Sequence, residues 1–194
     1  FIQPNEFLGL ALHHLVHNRG LTGRVARSLM TSHFMDAVAK SHGLDVRETP
    51  VGFKFIGDLL RGGEFLMGGE ESGGMSIRGH VPEKDGVLAC LLAAELRAVE
   101  RRPLARILKD LYKKVGTFSN ARLNFKLDRP DRFLQVAQVL NVRPPLKLAG
   151  SSVWRIDQSD GYKFLMKDGS WLGLRPSGTE PAVRLYAEAS EPKK

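Results

Sequence analysis

The sequence predicts an α/β protein in two parts: a three-layer α/β domain over residues 1–116 and a smaller α+β domain over residues 117–194. Three observations predict it. In the first part, segments with apolar residues at helical spacing alternate with short apolar runs, the pattern of helices crossing between strands of one sheet. The second part replaces that pattern with short alternating runs bounded by Gly, Pro, Asp and Ser, and with a single amphipathic stretch. Finally, 42% of the 194 residues are hydrophobic and no polar low-complexity tract interrupts them, so there is enough apolar side chain to bury cores and to exclude disorder.

Taken in order, Asn5 is placed to cap a helix whose Leu8, Ala11, Leu12, Leu15 and Val16 share one face, with Gly20 past its end. Arg24–Met30 reads as a strand. A helix capped by Ser32 and closed by Gly43 follows, then a strand over Leu44–Thr49, a short helix over Phe53–Leu60 and a buried strand over Glu64–Met67. Asp85 caps a helix to Glu100, with Val87, Leu88, Leu91, Leu92, Glu95 and Leu96 along its apolar stripe, and Pro103 opens another at the favoured first position. In the second part, Phe118–Leu127 alternates as a strand and Pro130 opens an amphipathic helix to Leu140. The stretch 141–152, with Pro144, Pro145 and Gly150, reads as loop. Tyr162–Met166 and Trp171–Leu174 form a hairpin about Asp168-Gly169, and Ala182–Ala189 is a strand with Val183, Leu185 and Ala187 on one face and Arg184, Tyr186 and Glu188 on the other. The domain boundary falls near Gly116–Asn120, and there is no internal repeat.

Composition narrows the function classes. The formal charge is +8, which raises nucleic-acid binding as a possibility. Its distribution argues against it: residues 1–116 hold 16 basic and 13 acidic residues (+3) and residues 117–194 hold 13 and 8 (+5), with no basic arm or stripe. The longest stretch without a charge, Phe7–Asn18, has twelve residues and three histidines, too short and polar to span a bilayer. One cysteine, Cys90, excludes a disulfide scaffold; within the apolar run Leu88–Leu92 it reads as a small buried hydrophobe in a reducing compartment. No secretory signal is present, so a cytoplasmic location is expected. A chain starting at Phe1 is expected to be a fragment.

Four segments carry chemistry. Arg175-Pro-Ser-Gly-Thr-Glu-Pro-Ala-Val-Arg184 joins two strands and places Arg175, Ser177, Gly178, Thr179 and Arg184 around one turn. Backbone amides in such a turn form an anion nest, and guanidinium forks match phosphate oxygens. An ordinary β-connection with solvated arginines is an equal reading. Gly68-Gly-Glu-Glu-Ser-Gly-Gly74 puts Glu70, Glu71 and Ser72 at the carboxyl end of a strand, where open α/β sheets bind ligands. Sugar hydroxyls, acid/base work, a metal and a plain solvated loop all compete there, a metal least because no His or Asp stands at ligand spacing. In His80-Val-Pro-Glu-Lys-Asp-Gly86, Lys84 precedes a helix and could steady a phosphate or move protons; Lys54, in Thr49-Pro-Val-Gly-Phe-Lys-Phe-Ile56, is similarly placed. His13 and His17 share a helix face at i, i+4, but no third ligand is evident, so His13, His14 and His17 are expected at exposed positions.

Taken together and in this order, TPVGFKFIG, GGEESGG, HVPEKDG and RPSGTEPAVRLYAEA resemble the α-D-phosphohexomutase family, which includes bacterial phosphoglucomutases and phosphomannomutases. The resemblance runs from PNEFL to YAEA and is to the third and fourth of the family's four domains, the fourth being TATA-binding-protein-like. It implies interconversion of hexose 1-phosphate and hexose 6-phosphate through a bound 1,6-bisphosphate. Residue by residue, it implies that Glu70 and Ser72 bind ring hydroxyls and that Arg175, Ser177, Gly178, Thr179 and Arg184 hold the non-reacting phosphate. Lys84 falls on a general acid/base or phosphate-contact position, and Lys54 and His80 are pocket-lining candidates. The sugar loop looks more like glucose-phosphate members than glucosamine-phosphate ones.

The departures from the family are informative too. The phosphorylatable T-A-S-H-N-P loop and the magnesium loop D-G-D-A-D-R are absent from this sequence. Mg²⁺ and glucose 1,6-bisphosphate are therefore expected as cofactors of a full-length enzyme whose metal ligands lie elsewhere. This chain is expected to bind sugar phosphate, to need the N-terminal half as partner, and to lack turnover alone. After Tyr186-Ala-Glu-Ala189 the family runs into a final helix, whereas this chain ends at Glu191-Pro-Lys-Lys194, so an incomplete fourth domain is expected. The alternatives are a basic nucleic-acid module and a regulatory interaction module.

Overall fold

Strand β1 (Arg24–Ser28) is buried over four of its five residues because a parallel neighbour stands on each side, β2 (Val46–Thr49) and β3 (Phe65–Gly69). A strand covered on both faces reads as a continuous apolar run, as Val25-Ala26 and Phe65-Leu66-Met67 do. Antiparallel β4 (Met75–Ile77) completes the order β2-β1-β3-β4. The computed structural model describes residues 1–129, 131–177 and 181–192, and the chain divides into two units, Phe1–Phe118 and Ser119–Glu191.

Helices cover both faces of this first sheet. On one, Leu8, Leu10 and Leu12 of α1 (Pro4–His13), Phe34 and Val38 of α2 (Phe34–Ser41), Leu92 and Leu96 of α4 (Gly86–Glu100) and Ile107 and Leu111 of α5 (Leu104–Val115) pack with Val25 and Met67. On the other, Phe53, Ile56 and Leu60 of α3 (Phe53–Arg61) pack with Ala26 and Phe65. Successive residues Val25 and Ala26 thus serve opposite cores, as a strand requires. The three-layer expectation is met. Asp85 Oδ1 accepts the Val87 and Leu88 amides at 2.8 and 3.2 Å, capping α4 as expected, whereas His33 rather than Ser32 is the N-cap of α2, with Ser32 Oγ accepting the Phe34 amide at 3.0 Å from one position earlier. Gln3, not Asn5, is the N-cap of α1, its amide donating to Glu6 Oε2 at 2.7 Å, while Asn5 Oδ1 accepts the Ser32 amide at 3.1 Å.

Polar contacts fasten the central strand. Arg27, 5% exposed, donates from Nε and Nη2 to the two oxygens of Asp36, at 2.7 Å each, and from Nη1 to Glu48 Oε2 at 2.5 Å. Burial works against its charge, but the two carboxylates outweigh that and hold the guanidinium above its ordinary value.

In the second unit the strands β5 (Gly116–Lys126), β6 (Lys147–Leu148), β7 (Ser151–Asp157), β8 (Tyr162–Met166), β9 (Trp171–Pro176) and β10 (Ala182–Pro192) form one sheet in the order β5-β10-β9-β8-β7-β6. Helix α6 (Arg132–Val142) lies against Tyr162, whose hydroxyl donates to Ala137 O at 3.2 Å and Asn141 Oδ1 at 2.8 Å. The α+β expectation is met, and the Asp168-Gly169 turn joins β8 to β9, with Gly169 at φ +90°. On the face away from Tyr162, Lys163 and Glu188 are both buried: Glu188 accepts Trp171 Nε1 at 2.7 Å and Asn120 Nδ2 at 2.6 Å, and Lys163 Nζ stands 4.5 Å from the Trp171 ring centre.

Several expectations need correction. Cys90 is exposed. Helix α4 turns Leu92 and Leu96 inward, which leaves Cys90, with Val87 and Leu91, on the opposite flank. His14 is fully buried, its Nδ1 3.1 Å from Asn18 Nδ2, because residues 14–18 form a π-helical turn that swings it beneath α4. Strands β4 and β7 and the short β6 were not expected; β6 and the start of β7 replace part of the loop read over 141–152. Pro130 lies outside the described residues.

Candidate functional site

Three loops meet at the carboxyl end of the first sheet's parallel strands. The first follows β2, where Gly52, at φ +133°, precedes α3. The second follows β3: the Glu70 amide donates to Gly74 O and the Gly73 amide to Glu70 O, each at 2.9 Å, closing a tight turn over the glycines. The third is 80–85, seated on α3 because Gly57 carries no Cβ where the Pro82 carbonyl lies.

Side chains lock these loops together. Glu70 is buried, and its Oε1 accepts the Gly52 amide at 2.9 Å. The remaining accepting capacity of its carboxylate suits a hydroxyl donor. Ser72 stands exposed at the tip of the same turn. The aliphatic stem of Lys84 lies over Gly74, where a Cβ would stand 3.1 Å from its Cδ; Nζ lies 6.0 Å from the Phe53 ring centre and 3.6 Å from Glu83 Oε1. Glu70, Ser72 and Lys84 therefore share one rim. Lys54 is exposed on the first turn of α3 with its Nζ 4.9 Å from the Phe55 ring centre.

His80 is engaged otherwise. Its Nε2 donates to Asp85 Oδ2 at 2.9 Å, so the imidazole braces the α4 cap. That hydrogen bond first, and then the amide of Leu88, hold the Asp85 carboxyl below its ordinary value. A carboxyl depressed in the folded chain adds stability above its unfolded value of 3.8, and this is lost as the pH falls through the lower folded value. Asp85→Ala is expected to lower Tm by a few degrees at pH 7, with the gap to wild type closing below about pH 3.5. Thermal unfolding of both proteins from pH 7 to pH 3 measures this; a gap independent of pH would show that the carboxylate charge contributes nothing.

In the second unit, Arg175 and Arg184 stand directly opposite one another across β9 and β10, on the same face of the sheet. Arg175 Nε donates to Asp160 Oδ1 at 3.0 Å and its side chain is 19% exposed, while Arg184 is half-buried. The Ser177 amide donates to Ala182 O at 2.8 Å at the neck of the connection. Gly178 and Thr179 lie outside the described residues. Like charges placed directly opposite destabilise a strand pair, and an anion between them removes that cost.

Two contributors were not singled out from the sequence. Asp160, which orients Arg175, is visible there only as half of an Asp-Gly turn signal, and the Gly52 amide that holds Glu70 leaves no side-chain trace. The histidines also have a neighbour that local spacing did not offer: Glu100 approaches His13 and His17.

The chain's similarities agree with this division. The family model for phosphoglucomutase/phosphomannomutase, alpha/beta/alpha domain III, matches residues 3–115, and that for the C-terminal domain of the same family matches residues 123–194. A phosphoglucomutase of Komagataeibacter xylinus is 34% identical over 97% of this chain and 37% of its own length. A phosphoglucomutase/phosphomannomutase of Thermococcus kodakarensis is 29% identical over all of this chain and 40% of its own. Among solved structures, the Paramecium phosphoglucomutase parafusin, in its open form, superposes with a TM-score of 0.74 at 26% identity, over all of this chain and 37% of that one. The chain thus spans less than half the length of these relatives.

Proposed function

Because the chain belongs to the phosphoglucomutase/phosphomannomutase family, with its third-domain and C-terminal-domain models covering residues 3–115 and 123–194, we propose that it is the sugar- and phosphate-binding part of a phosphohexomutase. That enzyme interconverts hexose 1-phosphate and hexose 6-phosphate through a 1,6-bisphosphate. The observation that carries the reading is the facing pair Arg175 and Arg184, two guanidiniums on one sheet face, with Asp160 accepting from Arg175. A phosphate dianion bridging two guanidiniums gains charge-assisted, bidentate hydrogen bonds.

In this reading Glu70 and Ser72 bind ring hydroxyls, Arg175, Ser177, Gly178, Thr179 and Arg184 hold the non-reacting phosphate, and Lys84 steadies the sugar-side phosphate or passes a proton to the departing oxygen. Asp160 keeps Arg175 pointed at its ligand. The bisphosphate must present each end in turn, so the clamp has to accept either phosphate; a shallow cationic hairpin does so more readily than a shape-matched cavity. Lys54 stands at the margin of this scheme, and His80 acts through Asp85.

Mg²⁺ takes hard oxygen ligands in octahedral array. The sugar rim supplies one buried carboxylate already accepting from Gly52, a donor set that does not fit such an ion, so the metal loop and the phosphate-donor serine belong to the remainder of the longer enzyme. That remainder is the proposed partner. On α4, Val87, Cys90, Leu91, Ala94 and Ala98 are all exposed and recur at i, i+3, i+4, i+7 and i+11, an apolar stripe suited to packing against it. A cytoplasmic setting goes with this reading. Among the described residues no helix is long and apolar enough to cross a membrane.

Calorimetric titration with glucose 1,6-bisphosphate tests the proposal. Wild type is expected to bind at millimolar ligand or below, and Arg175→Ala and Arg184→Ala each to weaken binding by about 10-fold or more. Phosphomutase turnover with Mg²⁺ is expected only after the N-terminal half is added. Unchanged affinity in folded arginine variants would remove the clamp, and turnover by the chain alone would remove the need for a partner.

A further inference from the structure

The first helix and the end of the fourth assemble a donor set that neither holds by itself. His13 closes α1, and His17 follows in the π-helical turn 14–18; their rings stack 4.9 Å apart with planes 12° from parallel, so their edges face the same side. Glu100, the last residue of α4, brings a carboxylate to that side. One ring nitrogen from each histidine and one Glu100 oxygen all lie within 4.8 Å of one another.

The surroundings hold these groups as outer contacts hold metal ligands. His13 Nδ1 lies 3.1 Å from His42 Nε2, which fixes the ring and selects its tautomer, and Asn18 Nδ2 donates to Glu100 Oε1 at 3.2 Å, which orients the carboxylate. Two cations limit affinity: Arg102 Nε stands 3.8 Å from Glu100 Oε2 and competes for the same charge, and Lys114 sets a further positive charge against His13 and His42.

We propose that His13, His17 and Glu100 bind a divalent transition-metal ion, Zn²⁺ foremost, with water completing the shell. Two imidazoles and one carboxylate suit Zn²⁺ and disfavour Mg²⁺. Zinc–ligand bonds near 2.0–2.2 Å need the donors to close to about 3.4 Å from one another, and the exposed His17 side chain has the freedom to do so. The site is separate from the sugar rim: Pro4, at the other end of α1, packs beside Gly73, and nine residues of helix set His13 roughly 13 Å away. Bound metal would staple the end of α1 to the end of α4, a structural role independent of the transfer chemistry.

The test is titration of the chain with Zn²⁺ in excess Mg²⁺, in a Cys90→Ser background so that the exposed thiol cannot compete. One ion per chain is expected at micromolar affinity, with a rise in Tm at saturation and d–d absorption when Co²⁺ replaces Zn²⁺. His17→Ala and Glu100→Gln should each weaken binding by about 10-fold or more, with circular dichroism showing that both variants fold. Absence of binding at 100-fold higher Zn²⁺ than that affinity implies, binding by either variant as tight as that of the parent protein, or displacement by Mg²⁺ would each overturn the assignment.

Discussion

Replacing Arg27 with alanine is expected to destabilise the first unit by about 3–5 kcal/mol, the scale of breaking a buried ion pair from one side. The guanidinium clasps Asp36 with two 2.7 Å bonds, reaches Glu48 at 2.5 Å and gives its own neighbour Ser28 a bond to the carbonyl at 3.3 Å. Removing it leaves two carboxylates facing each other beside the central strand and a void where the side chain stood. Arg27→Lys keeps the charge but not the fork, so it is expected to recover only part of the loss. Urea unfolding followed by far-ultraviolet circular dichroism measures the effect, and a loss under about 1 kcal/mol would mean that the triad behaves as a solvated surface cluster. The consequence reaches the rim formed by Glu70, Ser72 and Lys84, because β1 and β2 carry the 50–52 turn on which Glu70 is anchored.

Glu188→Ala is expected to cost the second unit about 3 kcal/mol or more. Glu188 is 2% exposed and accepts from both Trp171 Nε1 and Asn120 Nδ2, beside a fully buried Lys163 on the same sheet face. Its loss takes the acceptor from the buried Trp171 Nε1, whereas exposed Asn120 turns to water, and it leaves a positive charge with less to offset it. Glu188→Gln retains an acceptor and should fall between the two. The chain's two tryptophans, Trp154 and Trp171, both lie in this unit, so tryptophan fluorescence isolates it from the first. Coincident unfolding midpoints for wild type and Glu188→Ala would show that the buried polar face contributes no net stability.

Local chemistry made some of this legible from the residues alone. Asp85 announces the α4 cap because capping depends on side chains two or three positions away, and Asp168-Gly169 announces its hairpin because only glycine adopts that turn easily. The run of glycines after β3 placed Glu70 at the ligand edge for the same reason. Long-range facts were not legible. Strand β7 lost its alternation to a register shift between Val153 and Arg155. Helix α4 holds more apolar residues than its unit can cover, so the apolar run around Cys90 did not mean burial. The alternation of β10 separated its two faces but did not reveal that Tyr186 and Glu188 would both be buried on the more polar one. Asp160 beside Arg175 and Glu100 beside His13 and His17 are meetings made by the fold, 15 residues apart in the first case.

The facing arginines of β9 and β10 also bear on how this hairpin responds to engineering. Two cations in register are a local conflict that the rest of the sheet tolerates. A library of the chain selected for thermal stability alone would therefore replace Arg184 early, since almost any uncharged β-former opposite Arg175 relieves the repulsion. Under the proposed function the survivors would be sturdier and weaker phosphate binders, because the pair of like charges that strains the hairpin is the pair assigned to the anion.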